Sequence, residues 1–240
     1  MRLIELVRSG GEPAAWYDRI APIYERYVRW LPRGAVGRLV EELDPRPGET
    51  VLEIGPGPGT ELVELCERVG PTGRVVGVDV SGEMIELARA RLERRGFGDR
   101  ATLIHGDARS LDHVADGTVD AIFAASVLES LPPDGRRTVL GECRRVLAPD
   151  GRLGLLSLAR SERLPARLYA GCRRLLPGAV DCRQIDLVAV LEAAGFAVRS
   201  RWSDRLVGVP VEGTVAVPAS DRRRTNDEGS TFMPLRVFES

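Results

Sequence analysis

Residues 50–60 read Thr50-Val51-Leu52-Glu53-Ile54-Gly55-Pro56-Gly57-Pro58-Gly59-Thr60. Val51 to Ile54 is a short, mostly aliphatic run of the kind that forms a buried strand. Three glycines spaced by prolines interrupt it, and from Thr60 to Val69 the apolar residues return at helical spacing. Strand, glycine turn and helix in that order open a βαβ unit. The turn then lies at the carboxyl end of a strand, where open α/β sheets bind ligands.

Working outward, the same alternation repeats. Strands are predicted over Arg74 to Val80, Ala101 to His105, Ala121 to Ala125 and Arg152 to Leu158. Helices fall over Glu83 to Arg95 and Gly135 to Leu147, and a turn at Pro149-Asp150-Gly151. Such alternation predicts an α/β fold with a Rossmann-like, doubly wound, mostly parallel sheet. Phe196 to Trp202 and Val211 to Val217 follow closely enough to form an antiparallel pair closing one edge, which makes seven strands. Ahead of the glycine turn, Pro13 to Leu31 and a stretch ending near Leu43 read as helices. Three units are expected: an N-terminal helical lid over 1–48, a ligand-binding domain over 49–217 and a polar tail over 218–240. Helices at about 161–195 would belong to the middle unit.

The glycine turn restricts the ligand. A dinucleotide fingerprint G-x-G-x-x-G would need glycine at Thr60, so the third glycine is misplaced. Glu53, two residues before Gly55, directs a carboxylate to the same crevice, where a pyrophosphate would be repelled. A ligand carrying an ammonium and a sulfonium and no phosphate would be welcome. S-adenosylmethionine has that charge pattern. Asp79, ending the second strand, can accept both ribose hydroxyls. Asp107, in Gly106-Asp107-Ala108, can accept from the adenine amino group, and Met84 can pack on the ring. The plainer readings are a helix cap shared with Ser81 for Asp79 and a turn former for Asp107.

Composition narrows the remainder. Basic and acidic residues number 34 and 35, for a formal net charge of −1, so no global field favours nucleic acid or an anionic membrane. Every basic residue is Arg, which excludes Schiff-base lysine chemistry. Cys66, Cys143, Cys172 and Cys182 show no C-x-x-C spacing, so no metal site is expected and buried free thiols are. The longest apolar run, Ala121 to Leu128, is too short to cross a bilayer. With no signal-peptide pattern, a cytoplasmic protein is expected.

The chain resembles the class I S-adenosylmethionine-dependent methyltransferases, and within them the group typified by the ubiquinone/menaquinone C-methyltransferases (methyltransferase type 11). The matching segments are Val51 to Thr60, Val75 to Ile85, Gly106 to Ala108, Val119 to Leu131 and Arg144 to Leu158. Arg145-Val146-Leu147-Ala148-Pro149-Asp150-Gly151-Arg152-Leu153 is very like that group's R-V-L-K-P-G-G-x-L. Tyr17-Asp18-Arg19-Ile20-Ala21-Pro22-Ile23-Tyr24 looks like its N-terminal F/Y-D-x-I-A-x-x-Y. The resemblance implies an enzyme whose cofactor, S-adenosyl-L-methionine, leaves as S-adenosyl-L-homocysteine. It puts Glu53, Gly55, Gly57, Gly59 and Thr60 around the methionine part, and Asp79, Val80 and Met84 at the ribose and adenine. Gly106, Asp107 and Ala108 fall near adenine, and Ala124 and Ala125, with Ser126 beyond, at the sulfonium. Tyr17 and Tyr24 would close over the cofactor.

The acceptor side is less specified. Five of the chain's twelve aromatic residues, Trp16, Tyr17, Tyr24, Tyr27 and Trp30, crowd into one stretch. They suit a lid, or a helix packing an apolar face on the domain, and are compatible with peripheral membrane contact. Methyl transfer needs a base only if the acceptor must lose a proton. Glu129 and His105 are the catalytic candidates. Glu129 stands where relatives often carry histidine, and His105 ends a strand beside Gly106. Val180-Asp181-Cys182-Arg183-Gln184-Ile185 resembles a D-C-R-P-I stretch with Gln184 in place of the proline. The expected acceptor is a small, hydrophobic molecule: a quinone, isoprenoid, lipid or secondary metabolite. The alternative is a non-catalytic module that keeps the fold for binding or interaction.

Overall fold

The computed structural model describes residues 15, 17–19, 21, 34–159, 185–206 and 209–219. Tyr24, the stretch 160–184 and the tail from 220 lie outside them, and with them most of the helical region expected at about 161–195 and the motif around Cys182. The elements in chain order are α1 (Gly34–Leu43), β1 (Thr50–Ile54), α2 (Thr60–Val69), β2 (Arg74–Asp79) and α3 (Gly82–Arg94). Then come β3 (Ala101–His105), β4 (Val119–Ala125), α4 (Pro133–Val146), β5 (Leu147–Leu158), α5 (Leu187–Ala193), β6 (Phe196–Leu206) and β7 (Val209–Pro218). Ala15, Tyr17, Asp18, Arg19 and Ala21 are helical too.

The seven strands form one sheet in the order β3-β2-β1-β4-β5-β7-β6. β1 to β5 pair in parallel, and β7 runs antiparallel to both its neighbours. The reversed strand therefore lies second from the border, with β6 outside it. Only two residues separate β6 from β7, a connection that permits nothing but an antiparallel pair. The expected turn at Pro149-Asp150-Gly151 is absorbed into β5. Pairing jumps from Val119↔Leu147 to Ala121↔Arg152, so the extra residues form a bulge, where a proline without an N–H is tolerated.

Strand alternation sorts the core into two layers. Val51, Ala121 and Phe123 pack with Leu39, Leu62, Cys66, Ala88 and Leu92, which puts α1, α2 and α3 on one face. Leu52, Ile54, Ile122 and Ala124 pack with Val139, Leu140, Leu187 and Leu191, which puts α4 and α5 on the other. Cys66 and Cys143 are buried free thiols in opposite layers, and burial pushes them up to about 11 and about 12. At the far end Trp202 packs over Gly213, where a Cβ would stand 2.2 Å from its ring, and the Arg38 guanidinium lies 4.6 Å from its centre. Arg152 straps the base of the sheet: it donates to the carbonyls of Leu43 and Asp44 and to Glu49 at 2.7 and 2.9 Å.

Candidate functional site

The register of β1 to β4 brings four strand ends to one edge. Ile54 pairs with Val78 and Ala124, and Asp79 pairs with His105. The ladder continues a residue further, with Gly55 N–H donating to Val78 at 2.9 Å and Gly106 N–H to Asp79 at 2.9 Å. The chain order reverses between β1 and its two neighbours, the switch point at which open α/β sheets hold ligands. A cavity of about 550 Å³ opens there, within the usual range for small-molecule sites. Tyr17, Gly55, Gly57, Asp79, Val80, Met84, Gly106, Asp107, Ala108 and Ala125 line it, so ten of the expected cofactor residues converge.

Asp79 is 8% exposed and both of its carboxylate oxygens already accept backbone N–H groups. Gly57 donates to Oδ2 at 3.0 Å and Ser81 to Oδ1 at 2.9 Å. One carboxylate thus fixes the glycine turn against the start of α3 and keeps lone pairs for a ligand. Burial pushes its carboxyl up against the pull of those two N–H groups. The helix cap is Ser81, whose Oγ accepts the Met84 N–H at 3.2 Å. Asp107 also has a protein partner. Arg109 Nε and Nη2 grip it at 2.8 and 2.5 Å, which holds the carboxyl below its ordinary range. Arg109 lines the same end of the cavity. The Asp-x-Arg spacing in a turn was the available signal for this pair.

Glu53 lies behind the glycine turn, 2% exposed, with Oε2 buried and without a hydrogen-bond partner. Burial pushes its carboxyl well up, and the charges of Glu61 and Asp79 push the same way. A cationic group entering the crevice would relieve both carboxylates, whereas a pyrophosphate would add to their repulsion. The backbone also leaves room for close approach. Gly55 has φ +68°, and a Cβ there would stand 2.6 Å from Val127 Cγ2. Gly59 has φ +76°, and its Cβ would meet Ala88 at 2.9 Å, so α2 and α3 touch through bare backbone. These features fit S-adenosylmethionine. Thr60, like Glu53 and Gly59, does not line the cavity, and its Oγ1 accepts Arg91 Nη1 at 2.6 Å.

The opposite wall is the end of β4 and the loop after it. Ala125, Ser126, Val127, Ser130, Leu131 and Pro132 line the cavity, joined by Val139 of α4. Ser126 takes φ +58°, a left-handed conformation uncommon outside glycine, while its N–H donates to Leu156 at 2.9 Å. Ala124 is core beneath this wall. Glu129 stands behind it, 1% exposed, and accepts the Ser157 hydroxyl at 2.9 Å on Oε2. Burial pushes its carboxyl up. His105 is exposed and its Nε2 lies 3.1 Å from the Val80 carbonyl. Neither candidate base lines the cavity. Among the described residues no cluster of His, Cys, Asp and Glu could hold a metal ion, and no helix is long and apolar enough to cross a membrane. Sequence reasoning missed Ile54, Val78, Arg109, Val127, Ser130, Leu131, Pro132 and Val139 as lining residues.

Comparison with known proteins gives concordant relatives. A family model described as a methyltransferase domain matches residues 51–151. Nocamycin O-methyltransferase of Saccharothrix syringae is 34% identical over 79% of this chain and 69% of its own. Demethylmenaquinone methyltransferase of Thermotoga maritima is 34% identical over 64% of this chain and 66% of its own. Two further relatives are spanned over only 32% and 50% of their lengths. Among solved structures, a SAM-dependent methyltransferase from Aquifex aeolicus superposes with a TM-score of 0.60 at 25% identity. That match covers 76% of this chain and 88% of that one.

Proposed function

The chain belongs to the class I S-adenosylmethionine-dependent methyltransferases, and on that footing we propose that it methylates a small, mainly apolar molecule. A quinone, isoprenoid, lipid or secondary metabolite is the class of acceptor meant. The carrying observation is that the apolar wall of Val127, Leu131, Pro132 and Val139 shares one cavity with Asp79 and the glycine turn. Two relatives, a nocamycin O-methyltransferase and a demethylmenaquinone methyltransferase, are named for small-molecule acceptors, which supports this reading.

In this reading Asp79 accepts the ribose hydroxyls and Asp107, oriented by Arg109, accepts from the adenine amino group. Val80 and Met84 pack against the base. Glu53, behind the glycine turn, attracts the ammonium group by its charge, and the N-terminus of α2, which has no side-chain cap, favours the carboxylate of the amino-acid part. Tyr17 covers the cavity as part of an N-terminal lid. The cofactor supplies a methyl group on positively charged sulfur, already activated for attack. What the chain adds is alignment and exclusion of water, and alignment alone can lower a barrier by roughly 7 kcal/mol. A general base must reach the proton that it takes. Since neither His105 nor Glu129 lines the cavity, we assign the reaction no base from this pair.

The test is formation of S-adenosylhomocysteine with a panel of acceptors: quinols, phenols, prenyl alcohols and, for contrast, an isoaspartyl peptide. Turnover with an apolar small molecule is expected. Turnover confined to the peptide would overturn the acceptor class.

A further inference from the structure

Asp18 reaches from the N-terminal helical residues to the start of a helix 63 positions later. Its Oδ1 accepts the Ser81 hydroxyl at 2.6 Å and the Glu83 N–H at 3.3 Å. Ser81 is wholly buried and caps α3 by accepting from Met84, while its own N–H donates to Asp79. One serine therefore touches the ribose-side carboxylate, the first turn of α3 and the N-terminal segment. Tyr17, next to Asp18, lines the cavity.

The first turn of any helix leaves N–H groups without intrahelical partners, and these carry partial positive charge. Ser81 Oγ accepts the Met84 N–H, and the Glu83 N–H goes to Asp18 instead. Asp18 Oδ1 supplies the second acceptor. A carboxylate brought from so far along the chain fixes the segment that carries it. The contact is therefore a tether as well as a cap.

We propose that Asp18 is a positioning residue: through Ser81 and the N-terminus of α3 it holds Tyr17 over the cofactor cavity. This rests on the cofactor reading above. Asp18 touches no reacting atom. Its effect is read in how long the cofactor product stays bound.

The experiment compares the full chain with Asp18→Ala and Asp18→Asn. Two readouts are taken, the dissociation rate of S-adenosylhomocysteine and amide hydrogen exchange in the ligand-free protein. Asp18→Ala is expected to release the product roughly tenfold faster, the effect of losing the two hydrogen bonds that Asp18 accepts. Exchange should quicken at Tyr17 to Arg19 and at Glu83, with β1 to β5 unaffected. Asp18→Asn, whose amide oxygen can still accept from both donors, should stay near the unaltered chain. Wild-type release by Asp18→Ala would overturn the proposal. So would exchange that quickens evenly through the sheet, the mark of a merely structural role. If the unaltered chain binds no product, the cofactor reading fails, and the exchange pattern alone decides the tether.

Discussion

Asp79 holds the glycine turn and α3 together before any ligand enters, so its removal should act twice. Asp79→Ala deletes the proposed ribose acceptor and frees the N–H groups of Gly57 and Ser81. Losing charged hydrogen bonds of about 1.5–3 kcal/mol each, the variant is expected to bind S-adenosylhomocysteine roughly 100-fold more weakly by calorimetry. Gly55 makes a different claim. Alanine there would need φ +68° and would drive a Cβ into Val127, so Gly55→Ala should lower unfolding free energy by about 1–3 kcal/mol in urea. Glu53 couples the site to pH. Its carboxyl is raised in the folded chain, mainly by burial, so the folded state holds its proton more tightly than the unfolded. The stability from that proton is full below the unfolded value and is lost as pH rises through the folded one. A cationic ligand favours the ionised form, so affinity should climb with pH through the raised value, with proton release on binding. Titrations in buffers of different ionisation enthalpy would reveal the release, and Glu53→Gln should reduce both slopes, with Asp79 still contributing its own.

Among the elements, β1, the glycine turn and α2 were legible because periodicity changes abruptly at Gly55 and Gly59. The place of β7 was not, since strand order depends on which edges remain open after β4 and β5 pair. Pro149-Asp150-Gly151 carries turn chemistry, yet β4 on one side draws it into a bulge of β5. Asp79 and Asp107 could be found from their strand ends. Ser81 holding Asp18, and Glu129 turning to Ser157 rather than to the cavity, depend on tertiary contacts that no local pattern encodes. Arg152 is a further contact of that kind, joining α1, β1 and β5. Its loss leaves two carbonyls without this donor and Glu49 with only the Arg46 N–H, so Arg152→Met should cost about 3 kcal/mol. Burial raises the Glu49 carboxyl, but the Arg152 bond, with help from Arg46, leaves it lowered overall. That stability is present above the unfolded carboxylate value and fades as pH falls through the folded one. Acid unfolding of Arg152→Met should lack this component.

At the scale of the whole molecule, two core layers clasp a sheet whose loops at one edge make the cavity. A ligand there bridges β1 to β4 and should stabilise the fold as a unit. At a concentration 100 times its dissociation constant, S-adenosylhomocysteine would add about 2.7 kcal/mol. For a chain of 240 residues that is a rise in melting temperature of roughly 5–10 °C, measurable by scanning calorimetry. The most direct measurement is isothermal titration with S-adenosylmethionine, S-adenosylhomocysteine and NAD, repeated on Asp79→Ala. One-site binding of the first two and none of NAD, lost in the variant, is the result expected. Binding of NAD alone, or of none of the three, would contradict the assignment of this cavity to S-adenosylmethionine.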